Sequence, residues 1–153
     1  MTTDFAAAVA ETGEAQQTWA ALGVRARLRV IRRLRHALAS RAREFASRVE
    51  RDAAETLASE VLPLAEACRF LEDQAASLLA TRYTDADGRP VWLTGVSLEV
   101  RREPVGTVLV IGPFNDPLFL PGVQAVQALA AGNAVMVKPG RGGRGVMDLM
   151  AEC

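Results

Sequence analysis

The spacing of apolar positions changes character three times along the chain. Val24, Leu28, Ile31, Leu34, Leu38, Phe45 and Val49 recur every three or four residues. That is the stripe of one amphipathic helix running to about Asp52. Upstream, residues 1–20 are alanine-rich, and Phe5, Val9 and Thr12 have partial helical spacing, which suits a short helix with Trp19 near its end. Ala53 to Ala58 interrupts the pattern. Ser59 then offers an N-cap, and Pro63 sits where proline is tolerated, near a helix start. Val61, Leu64, Cys68, Leu71, Ala75 and Leu78 give a second stripe. Two such helices joined by a short break are expected to pack antiparallel.

From Tyr83 the helical period is lost. Tyr83 to Arg89 reads as a turn region, with Asp87-Gly88 as a hairpin signal. Pro90–Leu93 and Val96–Arg102 read as short strands, and Leu98, Val100 and Arg102 alternate with Glu99 and Arg101, so one face should be wet. Val105 to Ile111 is a continuous apolar run closed by Gly112-Pro113, the pattern of a strand buried on both faces. Phe114-Asn115-Asp116-Pro117 is a turn, in which Asn and Asp bond their own backbone and proline presets φ. Leu118 to Ala131 is helical, with Val123, Val126, Gln127 and Ala130 in register, and Gly132-Asn133 is its C-cap pair. Ala134 to Val137 is a second apolar strand, stopped by Lys138-Pro139-Gly140. Strand, helix and strand within about 35 residues make a βαβ unit with parallel strands.

The predicted fold is therefore α/β: N-terminal amphipathic helices over residues 1–84, a β-hairpin arm over 85–102, and from 103 to 153 a βαβ unit of an incomplete Rossmann-like parallel sheet. This unit brings two polar groups to one sheet edge. Asn115 follows the carboxyl end of the first strand and Lys138 ends the second. Ligands of open α/β sheets bind outside that edge. An amide donor and an ammonium there suit an anion or a developing oxyanion. On spacing alone this reading stands level with a plainer one, in which Asn115 closes a turn and Lys138 is a solvated strand end.

Composition narrows the partners. Half the residues are apolar, mean hydropathy is +0.10, and the formal net charge is zero, which argues against a nucleic-acid partner. No run approaches the roughly 18 apolar residues of a membrane span. The N-terminal stretch has no basic block before an apolar one, so no secretory signal is visible, and a reducing cytoplasm is the expected compartment. The helix from Val24 to about Asp52 carries ten of the seventeen arginines, from Arg25 to Arg51. A solvated face that packs on an acidic neighbour explains them better than RNA or a membrane surface, since no aromatic interleaves the basic face. His36 has no second ligand at helical spacing, so a metal role is not expected. Cys68 lies on the apolar stripe and reads as a buried, inert thiol without a partnering base. GRGGRG at 140–145 lacks both the P-loop ending and the dinucleotide glycine spacing, so a phosphate cradle is the weaker reading of it.

PVGTVLVIGPFNDPLFLP and ALAAGNAVMVKP, at 104–121 and 128–139, resemble the start of the cofactor-binding domain of the aldehyde dehydrogenase superfamily. That family's pattern is P-x-G-V-V-x-x-I-x-P-W-N-x-P followed by A-L-A-A-G-N-x-V-V-x-K-P. The likeness covers residues 18–150 and is specific in 103–139, with Phe114 replacing the usual Trp. It implies that the Asn115 amide helps form an oxyanion hole. It implies that Ile111, Gly112, Pro113 and Phe114 line the nicotinamide side of NAD or NADP. It implies that Lys138 binds the adenosine ribose, with Pro139, Gly140 and Arg141 beside it. The family often has an acidic residue where Arg141 stands; a cation there would either favour a 2′-phosphate and hence NADP, or mark a degraded ribose site. The hairpin arm would join a neighbouring subunit, giving a homo-oligomer. The implied reaction oxidises an aldehyde to a carboxylic acid through a thiohemiacetal on a cysteine thiolate. The family's Gly-rich loop, general-base Glu and nucleophilic Cys lie beyond the matched stretch, so the chain is expected to be inactive alone. The alternatives are an acyl-phosphate or acyl-CoA reductase of the same superfamily, and a non-catalytic module that pairs with full-length enzymes.

Overall fold

The computed structural model describes residues 5–84, 90, 92 and 95–153. The chain begins with α1 (Phe5–Ala21). None of its side chains is fully buried; it docks by donation instead, Gln16 Nε2 to the Gly132 carbonyl at 3.1 Å and Trp19 Nε1 to the Leu129 carbonyl at 2.8 Å. The helix expected from Val24 to Asp52 is two helices, α2 (Val24–Ser40) and α3 (Ala42–Ser47). The break falls at Arg41, which leaves helical geometry (φ −104°, ψ 16°) while its guanidinium is held by Glu44 and Glu152.

The second predicted helix starts earlier than its sequence suggests. Asp52 Oδ1 accepts from the Ala54 and Glu55 N–H groups at 2.9 and 3.0 Å and so caps α4 (Ala53–Thr56). Ser59 is not the cap; its hydroxyl donates to the Glu55 carbonyl inside the helix. The helix passes through a π-turn (Leu57–Val61), where the Leu62 N–H reaches back five residues to the Leu57 carbonyl, and continues as α5 (Leu62–Leu78). Pro63 has no N–H to give the Ser59 carbonyl, and the wide turn lets a helix resume at a proline.

Leu28, Ile31, Leu34 and Leu38 of α2 pack with Leu64, Cys68, Leu71 and Ala75 of α5 in one hydrophobic core. Across this pair, Arg32 Nε and Arg35 Nε reach the Glu72 carboxylate at 2.8 and 2.6 Å, so part of the arginine-rich face packs on an acidic neighbour as expected. Arg27 departs from that expectation. It is buried, with Nε donating to the Ala130 carbonyl at 3.1 Å and Nη1 to the carbonyls of Ala20 and Leu22.

A two-stranded antiparallel ribbon follows, β1 (Arg82–Thr84) paired with β2 (Leu98–Val100). Tyr83 is thus in a strand rather than a turn. The alternation expected in β2 gives no dry face, because Leu98, Glu99 and Val100 are all exposed. The predicted turn at Asp87-Gly88 lies outside the described residues, as do Val91 and Leu93 of the predicted strand Pro90–Leu93.

The βαβ unit forms as read: β3 (Thr107–Ile111), α6 (Phe119–Ala130), β4 (Ala134–Lys138), the strands parallel with Thr107 beside Ala134 and Ile111 beside Lys138. Gly132, at φ +95°, turns the chain out of α6. Asn133 locks the unit's start, its Oδ1 accepting from Val105 and Gly106 N–H at 2.7 and 3.1 Å. The expectation of a strand buried on both faces fails for β3. Val110 is buried, but Leu109 and Ile111 are 48% and 67% exposed. Side chains alternate across a strand, and the described helices cover the Val110 side only at these positions. α7 (Arg144–Ala151) closes the core with Val146, Met147, Leu149 and Met150. Gly122 lets α6 approach α5, since a Cβ there would lie 2.8 Å from Leu64 Cδ2. Among the described residues no helix is long and apolar enough to cross a membrane.

Candidate functional site

The register of β3 and β4 makes Ile111 and Lys138 neighbours, and the Gly112 N–H donates to the Lys138 carbonyl at 2.9 Å. The two chains therefore leave the sheet side by side and stay in contact. A Cβ on Gly140 would lie 2.1 Å from the Pro113 carbonyl oxygen and 2.8 Å from the Phe114 nitrogen. Only glycine permits that approach, and it joins 112–114 to 138–140 as one continuous surface. Ile111, Phe114, Lys138 and Arg141 are all exposed on or beside it. The Arg141 guanidinium carbon stands 6.0 Å over the Phe114 ring, a cation–π contact that bridges the two strand ends. The sequence-predicted residues Ile111 to Phe114 and Lys138 to Arg141 are thus brought together at one edge.

Asn115 extends this edge, and its side chain is exposed. Its Nδ2 donates to Asp116 Oδ2 at 2.6 Å, so the resting amide is held by the neighbouring carboxylate. Behind the turn stand two residues that the pattern reading did not single out. Glu60 is fully buried, and its Oε2 accepts from the Leu118 and Phe119 N–H groups at 2.7 and 3.2 Å. Arg51 places Nη1 3.2 Å from Glu60 Oε1 while its Nη2 donates to the Asn115 carbonyl. One signal for Glu60 was present: it lies four residues before Leu64, on the apolar face of the helix.

Neither cysteine joins the edge. Cys68 is in the helical core, where burial, helped by the nearby Glu72 charge, pushes its thiol up to about 12. That agrees with an inert thiol. Cys153 is exposed after α7, its sulfur accepting from Arg41 and donating to the Leu149 carbonyl. No group of three His, Cys, Asp or Glu side chains able to hold a metal occurs among the described residues. An apolar cavity of about 760 Å³ between α2, α6, β4 and α7 touches the edge only at Pro139 and Gly140. Its lining also takes in Arg144, Asp148 and Cys153, and Ile111 to Asn115 and Lys138 lie outside it.

The edge offers an ammonium, exposed apolar side chains and a flat backbone surface at the carboxyl ends of parallel strands. Those are the features a dinucleotide needs there. The model of the "Aldehyde dehydrogenase family" matches residues 1–153. The N-succinylglutamate 5-semialdehyde dehydrogenase of Burkholderia thailandensis is 33% identical over 153 residues, covering 97% of this chain and 30% of that protein. A Sinorhizobium meliloti structure described as a methylmalonate-semialdehyde dehydrogenase complexed with NAD is 29% identical, with a TM-score of 0.81 over 97% of this chain and 30% of that one. The NADP-dependent glyceraldehyde-3-phosphate dehydrogenase of Bacillus halodurans, complexed with NADP, is 25% identical, with a TM-score of 0.79 over 95% of this chain and 32% of that one. The chain spans about 30% of the length of the curated relatives it matches. With its family model matched along the whole sequence, the chain belongs to the aldehyde dehydrogenase family.

Proposed function

We propose that this chain supplies the oxyanion-hole amide and one wall of the cofactor site of an NAD(P)-dependent oxidation of an aldehyde to a carboxylic acid. The observation that carries the reading is the parallel register. It sets Lys138 beside Ile111 and places Asn115 four residues further along the same edge. When bound, the nicotinamide would accept the hydride. The rest concerns this chain's own groups. Lys138 can donate to ribose hydroxyls, Ile111 and Phe114 offer apolar surface, and the Gly140–Pro113 contact keeps side chains out of the cradle. Asn115 would donate to the oxygen of the aldehyde carbon as it becomes tetrahedral, once its amide turns from Asp116. Arg141, in place of an acid, supports NADP over NAD.

The test joins residues 1–153 to the remaining two-thirds of the Burkholderia relative, so that nucleophile and base are present. Asn115→Ala should then lower kcat by about 100-fold, near 3 kcal/mol, with KM little changed. An unaltered kcat would reduce Asn115 to a turn residue. The exposed β1–β2 ribbon supports an arm that associates with a second subunit.

A further inference from the structure

A buried carboxylate is costly unless it is paired and hydrogen-bonded. Glu60 is fully buried and lies on the π-turn Leu57–Val61, an irregularity that shifts side chains out of helical register and recurs at functional sites. Its Oε2 serves as the N-cap that α6 otherwise lacks, because Leu118 at the cap position has no acceptor and is itself buried. Its Oε1 has no hydrogen-bond partner among the described residues, although Arg51 Nη1 is 3.2 Å away. The two groups attract by charge without an aligned N–H. The Arg51 guanidinium is itself fixed: Nη1 donates to Ser59 Oγ at 3.2 Å, Nε lies 3.7 Å from Glu55 Oε1, and Nη2 donates to the Asn115 carbonyl. Guanidinium and carboxylate therefore hold both ends of the turn 115–119, Arg51 at the Asn115 carbonyl and Glu60 at the Leu118 and Phe119 amides.

We infer that Arg51 and Glu60 are positioning residues that set where the Asn115 amide can reach. This rests on the reading of Asn115 as an oxyanion donor. A cap alone would need only the Glu60 contacts to α6. The Arg51 bond to the Asn115 carbonyl adds control over the peptide unit that carries the amide. Displacement of a catalytic group by about 1 Å can cost a factor of about 100, so a two-point anchor on a solvent-exposed turn has a direct consequence for rate.

The experiment uses the full chain labelled with 15N, comparing the native protein with Arg51→Met, Arg51→Lys and Glu60→Gln. The readouts are the Asn115 side-chain amide resonances and hydrogen exchange at Leu118 and Phe119. Arg51→Met should move the Asn115 resonances while leaving the Leu118 and Phe119 exchange rates within about twofold. Glu60→Gln should move the same resonances and speed exchange at both amides by about tenfold. Arg51→Lys, which keeps the charge but not the fork, should restore only part of the native shift. Asn115 resonances unmoved by both Arg51→Met and Glu60→Gln would overturn the inference and leave Glu60 a plain helix cap. Should association broaden the spectra, the joined enzyme decides. There Arg51→Met must lower kcat about tenfold with KM within twofold, and an unchanged kcat overturns the inference. Asn115→Ala in that enzyme separates the two ideas. If it leaves kcat intact, the oxyanion reading fails, while the resonance shifts still decide whether the pair positions the turn.

Discussion

Asp116 and Asn115 stand in tension. The 2.6 Å bond between them satisfies both side chains at rest, yet a carboxylate beside a developing oxyanion raises its energy. At an effective dielectric of about 20, two like charges 4 Å apart repel by about 4 kcal/mol, an upper figure for an exposed pair. Asp116→Ser keeps a turn-forming side chain and removes the charge. In the joined enzyme it should raise kcat several-fold, as read from steady-state rates at saturating aldehyde; a fall would mean that Asp116 orients the amide. A second residue-scale expectation concerns Cys68. Folding raises its pKa from 9.0 to about 12. The neutral thiol favours the fold fully below pH 9, and that contribution is lost between pH 9 and about 12, as the unfolded thiol ionises first. At pH 8 a thiol reagent should therefore modify Cys153 rapidly and Cys68 only on unfolding. Mass spectrometry of digested, labelled chain checks this, and equal labelling of both cysteines would show that α5 is not packed as described.

The elements divide by how locally their signals are written. The βαβ unit was legible because apolar runs, Gly112-Pro113 and Gly132-Asn133 punctuate it within a few residues of each boundary. The break at Arg41 and the start of α4 at Asp52 were not. Pro63 drew the predicted helix start toward Ser59, and the π-turn that accommodates this proline leaves no periodic trace. Arg27 and Glu60 were harder to read for another reason: the Ala130 carbonyl and the Leu118 N–H that they bond lie 103 and 58 residues away, and only the place of Glu60 four residues before Leu64 hinted at its burial. A charged residue on a basic helix reads as surface unless the fold brings helix ends to it. Arg27 caps the carbonyl ends of α1 and α6 at once, where a cation also suits both helix dipoles. Arg27→Met keeps the aliphatic volume but leaves these carbonyls without their charged donor. It should cost about 2–3 kcal/mol and loosen α1 first. Thermal melts should register the loss, and proteolysis near Leu22 should appear at lower protease concentration. A melting point within a degree of the native one would mean that water replaces the guanidinium without penalty.

The whole molecule carries its apolar surface unevenly. Around α2, α5, α6 and α7 the helices bury a continuous core, whereas Leu109 and Ile111 on β3 and Leu98 and Val100 on β2 are exposed. Both described sheets have only two strands, so each strand has an edge whose N–H and C=O groups pair with no described neighbour. Exposed apolar strands with open edges recruit further strands. Formal net charge is zero, so long-range repulsion does little to keep copies apart. The purified chain should therefore sediment well above its 16.4 kDa mass at micromolar concentration and bind a hydrophobic dye. Two surfaces can be responsible, and they separate cleanly. Leu98→Lys with Val100→Lys places charges on the ribbon without touching the core; Leu109→Lys does the same on β3. If the ribbon is the arm inferred above, the first pair of substitutions should return the mass toward that of a monomer while dye binding at the sheet persists. If the open face of β3 drives association, Leu109→Lys should do so instead. A native chain that sediments as a monomer across the concentration range, with one sharp reversible melt, would show that the helical core suffices alone and that neither strand surface associates.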